Sequence, residues 1–288
     1  MREAIASELF KTLRRRMTYI ILGAMAVLVT MFYVILWLRL RQGPDPTVAS
    51  QVRYESLRQG MSFENVVSYA LELERFFATL LCVVFTATMM GNEYDWRTAG
   101  LVLSRGVRRR DFVAAKVLVS LGFIVVMVTF GFLVAMACSG WFTNLYHLSY
   151  GTFSVARAWN VVASIGRTSF VIVPLVLMSL LFATIWRSAG QAVGFSLGFF
   201  FLESIFTGLL DTASGFLGKI PEALLNVNAA AVMSANGAVQ GDTGGGGPLG
   251  GGSSGGPSVL RGAAVLSAWL VVFLVVSFWR FERRDVQE

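Results

Sequence analysis

The chain has 288 residues, of which 55% are hydrophobic and 14% charged, with a mean hydropathy of +0.65. A soluble domain carries about 25% charged residues, so this composition excludes an ordinary water-soluble fold and points to a polytopic membrane protein, which the long apolar runs taken below make all-α. The formal net charge of +7 comes from basic residues beside apolar runs, which points to anionic lipid and membrane orientation and away from nucleic acid.

Residues 1–16 place Ile5, Leu9 and Leu13 at helical spacing, with Glu8, Lys11 and the arginines largely elsewhere, the pattern of an amphipathic interfacial helix. The first span follows at 17–38. At about 22 residues it is too long for a signal-peptide core, and no small-x-small cleavage site follows, so it is read as a retained helix. A charged connection with Pro44 and Pro46 leads to the second span, 66–90, with Glu72, Glu74 and Arg75 expected near the far interface. Residues 91–111 form a turnaround dense in arginine. Within it Tyr94 to Ser104 has no helix breaker except Gly100, Gly106 can end a short helix, and Asp111 suits the N-cap of a new helix beginning at Phe112. The third span is placed at 112–138, followed by a loop rich in aromatics such as Trp141, Tyr150 and Trp159, as at a headgroup interface. The fourth span, 161–186, is expected to kink near Pro174, and a tight turn leads to the fifth, 189–210. In the long connection 211–258, Phe216 to Ala235 can form short helices and 241–257 is a flexible Gly-rich segment. The sixth span is 259–279, with Arg280, Arg283 and Arg284 anchoring the tail.

The turnaround resembles that of the type-2 permease family of ATP-binding-cassette (ABC) transporters, related to the G-subfamily exporters. The likeness is carried by Glu93, Thr98, Leu101, Leu103, Ser104, Arg105, Gly106, Val107, Arg109, Phe112 and Lys116, and departs at Arg97, where the family usually has glycine. The resemblance implies that the short helix between spans two and three is a cytoplasmic coupling helix docking on a separate ABC ATPase subunit, through Glu93, Trp96, Arg97, Thr98, Leu101, Leu103, Arg105 and Arg109. It also implies pairing with a second copy or a paralogous permease, and export of an apolar or amphipathic substrate. The Arg108 to Arg110 cluster can equally hold the loop against anionic lipid.

Counting Lys and Arg with the amino terminus inside gives about 15 inner against about nine outer residues, so both termini are expected to be cytoplasmic, in a cell membrane. No cofactor is expected on this chain, because Gly218-Lys219-Ile220 lacks the remaining residues of a phosphate loop; ATP and Mg belong to the partner ATPase. The two cysteines, Cys82 and Cys138, fall inside predicted spans, so neither disulfide nor metal site is implied. Ser139 and His147 are a conceivable nucleophile and base, but nothing in the sequence supplies an oxyanion hole, and the chain is not read as an enzyme. Gly190, Gly194 and Gly198 form a smooth stripe on span five where another helix, of this chain or a second copy, can approach. Glu203 is the one acid placed well inside a span; its alternatives are a partner in Arg167 or a position near the outer interface. The alternative to transport is an ATPase-coupled membrane scaffold or sensor.

Overall fold

A computed structural model of the chain describes residues 2–43, 48–95, 108–148, 150–151, 154–210, 217–236 and 257–283. Nine α-helices occur among them: α1 (Arg2–Arg14), α2 (Arg16–Arg41), α3 (Val48–Gly60), α4 (Val66–Asp95), α5 (Arg109–Leu145), α6 (Val155–Trp186), α7 (Ala189–Leu210), α8 (Leu225–Met233) and α9 (Val259–Arg283). There is no strand among the described residues. Six of the helices, α2, α4, α5, α6, α7 and α9, are long and apolar enough to cross a membrane.

Solvent preference is inverted relative to a water-soluble bundle. Large apolar side chains such as Val27, Leu38, Phe195, Leu202 and Val275 stand on the outside, while Thr86, Ser120, Ser164 and Ser179 are buried. Lipid offers apolar side chains as good an environment as the core does, so helix contact is driven by close packing and interhelical polar contacts. The fourth span, α6, is the axis: 83% of its most apolar window is buried, against 17% for α7 and α9. α4 lies against α6, α5, α7 and α2, and α9 packs on α6 and α8. The Phe85 and Phe123 rings stack at 3.7 Å between α4 and α5.

Several expected boundaries are corrected. α5 begins at Arg109, with Arg108 as an N-cap lacking a side-chain cap, so Asp111 is a first-turn residue and not the cap. The same helix continues through Ser139, Trp141 and Phe142 to Leu145, taking up the first part of the expected aromatic loop; Ser139 Oγ donates to the Met61 carbonyl at 2.7 Å and the Thr143 hydroxyl accepts from the Phe63 amide, which ties this extra turn to the start of α4. α4 runs to Asp95, so Tyr94 and Asp95 belong to the second span's helix. α3 lies in a stretch expected only as a charged connection. α6 starts early, at Val155, where Ser154 Oγ accepts from the Arg157 amide, and runs unbroken past Pro174. The turn into α7 is made at Arg187, which has φ 53°.

Candidate functional site

At the end of the bundle where the chain leaves α4 and re-enters at α5, five charged side chains converge. Glu93 stands in the last turn of α4 and Lys116 in the second turn of α5, both buried. α1 closes the gap with Glu8, Lys11 and, just beyond its end, Arg15. Lys116 Nζ donates to Glu8 Oε2 at 3.1 Å, to Glu93 Oε1 at 3.4 Å and to the Met89 carbonyl at 3.3 Å, which uses all three ammonium hydrogens. Its charge also lies 4.8 Å from the centre of the Phe112 ring. Lys11 Nζ donates to Glu8 Oε1 at 2.9 Å and Glu93 Oε1 at 3.3 Å, and Arg15 Nη2 stands 3.9 Å from the same Glu93 oxygen. Burial alone would lower Lys11, but its hydrogen bond to Glu8 and the charges of Glu8 and Glu93 outweigh that and hold the ammonium above its usual value.

This geometry follows from an inversion in α1. Glu8 and Thr12 are its buried residues, whereas Leu9, Phe10 and Leu13 are about half exposed. The apolar stripe faces away from the protein and the polar face is turned onto α5 and α2. The sequence shows the stripe of an interfacial helix but not what the opposite, polar face meets. The missed residues are therefore Glu8, Lys11 and Arg15, together with a binding role for Lys116; the available signal was the Glu8, Lys11 pair one helical turn apart, opposite an apolar stripe.

Beside the cluster, the tail of α9 is tied to the start of α5. Arg109 Nη1 donates to the Glu282 carbonyl at 3.0 Å, Arg110 pairs with the Glu282 carboxylate, and Phe112 stacks on Phe281 at 5.5 Å. Of the residues expected to couple to an ATPase, Glu93 and Arg109 thus sit at the two ends of the turnaround. Trp96, Arg97, Thr98, Leu101, Leu103 and Arg105 lie outside the described residues.

The expected packing residues are distributed differently. A Cβ added at Gly190, Gly194 or Gly198 would meet nothing within 4 Å, so the stripe faces no other described helix of its own chain. The close approaches are made by other glycines. A Cβ at Gly91 would overlap the backbone of Ala189, joining the end of α4 to the start of α7, and one at Gly262 would lie 2.9 Å from the Asn228 carbonyl, joining α9 to α8. Glu203 is buried at the start of α8, where its Oε1 accepts from the Asn226 amide at 2.5 Å: a helix-capping carboxylate. Arg167 is not its partner; it donates to the Ala235 carbonyl at 2.6 Å and to the Asn236 side chain.

Fold and site together define a multi-pass membrane protein with six helices long and apolar enough to span and a charge cluster at one end of its bundle. The chain belongs to the family whose model is described as "Protein of unknown function (DUF2705)", which matches residues 45–287. Glu93 and Lys116 fall within the match, and α1 precedes it. No curated protein matches the chain.

Proposed function

We propose that this chain is the permease subunit of an ATP-driven ABC exporter. It sits in a cell membrane with both termini cytoplasmic, acts with a second permease copy or a paralogue, and moves an apolar or amphipathic substrate. ATP and Mg are handled by a separate ATPase subunit that docks on the turnaround, and no residue of this chain does covalent chemistry. The observation that carries the reading is the charge cluster: Glu93 and Lys116 flank the turnaround on either side, pair with each other and are both bonded to α1, through Lys11 and Glu8, so a push on residues 96–107 reaches α1, α4 and α5 together.

The contacts beyond the cluster support a route for that push. α4 carries it to α7 where Gly91 meets Ala189, and α7 presents its open glycine face outward, where a second subunit can pack. Alternation between two arrangements of the paired subunits then moves the substrate.

The test is Leu103→Asp. Burial of a leucine in an ATPase groove is worth about 1.5–3 kcal/mol, and every 1.4 kcal/mol lost weakens docking about tenfold. Copurification of the ATPase and transport should fall together while membrane insertion stays normal. An unchanged complex at normal expression would overturn the coupling assignment; a lost complex without any transport by the wild type would favour a scaffold or sensor.

A further inference from the structure

α4 carries a second buried carboxylate, 19 residues and about 28 Å along the helix from Glu93. Glu74 has no exposed surface, and neither carboxyl oxygen has a hydrogen-bond partner among the described residues. Its surroundings are the reverse of the cluster at the other end. The carboxyl packs against Gly131 of α5, where an added Cβ would come within 3.2 Å of Glu74 Cδ and 2.5 Å of Met25 Cε from α2. Glycine is what lets α2, α4 and α5 close over the acid. The Tyr33 hydroxyl of α2, also buried, lies within its electrostatic range, with Cys138 and Tyr69 nearby.

Among the described residues, no cation on the elements packed against it pairs with it. On α5, Lys116 belongs to the charge cluster, and Arg109 and Arg110 are bonded to Glu282. Arg75, next in sequence, is directed by the helix turn to Glu72 at 2.9 Å. On α6, Arg157 bonds the Phe63 and Glu64 carbonyls and Arg167 bonds Ala235 and Asn236. The charged residue of α7 is Glu203, engaged with α8. Arg39 and Arg41 at the end of α2 are exposed. An ionised carboxylate buried without partner costs so much that such groups neutralise instead. The tight wall at Gly131 and Met25 leaves a proton as the occupant that fits.

We propose that Glu74 is an intramembrane proton-binding site: it holds one proton while α2, α4 and α5 are packed against it, and releases it to entering water when they part. The O–H bond of the acid breaks, the proton passes to water, and the carboxylate is left hydrated. This inference does not depend on the transport reading.

Infrared spectra of the full-length protein in lipid nanodiscs test it. At neutral pH the wild type should show the carbonyl stretch of a protonated carboxyl that Glu74→Gln removes. Glu74→Asp keeps the acid and should keep the band at a shifted frequency, which decides the matter if the glutamine variant does not fold. In heavy water the band should shift slowly, at the rate at which the seam opens, and several-fold faster in Gly131→Ala, whose added methyl props the seam apart. Identical spectra for wild type and a folded Glu74→Gln would show an ionised Glu74 and overturn the proposal. Immediate deuteration in the wild type would overturn the sealed seam.

Discussion

Lys116 is the residue on which the charge cluster depends most, because it contacts both carboxylates and is itself without exposure. Removing one partner of a buried charge group typically costs about 3–5 kcal/mol, since the remaining charges stay buried and uncompensated. Lys116→Met should therefore lower thermal stability in detergent by such an amount, and adding Glu8→Gln should recover part of it; strict additivity of the two changes would mean that the residues do not interact. Lys11, partly exposed, should matter less when changed to alanine. Its ammonium is held above the usual lysine value, so its contribution is complete below that value and is lost only as pH rises past the raised one. Melting curves in the neutral range should consequently be insensitive to this group.

Among the elements, α4 and α7 make their tightest backbone contact at Gly91 and Ala189, and the three glycines of α7 look outward. Gly91→Leu should destabilise the isolated subunit, whereas Gly194→Leu should leave its melting temperature within error and reduce dimer yield in native mass spectrometry. Equal loss of stability from both would contradict this division. Such a difference was not legible in the sequence, because a small residue every fourth position announces a smooth face without naming what covers it, and Gly91 belongs to no stripe. The spans themselves were legible, since predominantly apolar runs of that length have few other uses. In α1 the stripe was legible but the burial of Glu8 and Thr12 was not, because an apolar stripe does not by itself say whether it faces protein or lipid. Glu74, expected near the far interface, is fully buried instead. It stands in a charged run with Glu72 and Arg75, but a helix turns about 100° per residue, so those two pair on one face and Glu74 points to another.

For the molecule as a whole, the proposed orientation puts the turnaround and both termini on one side and the Gly-rich segment on the other. Single cysteines in a cysteine-free background check it. Position 247 should react with an impermeant reagent in intact cells and position 106 should not; the reverse would invert the topology. The seat of Gly91 on Ala189 carries a mechanical consequence. It lies four residues from the Asp95 end of α4 and 25 from the Val66 end, distances of about 6 Å and about 37 Å at 1.5 Å per residue. Phe76 of α4 also meets Phe200 of α7, with ring centres 6.0 Å apart, so the two helices are held together at two levels and a change at one seat strains the other.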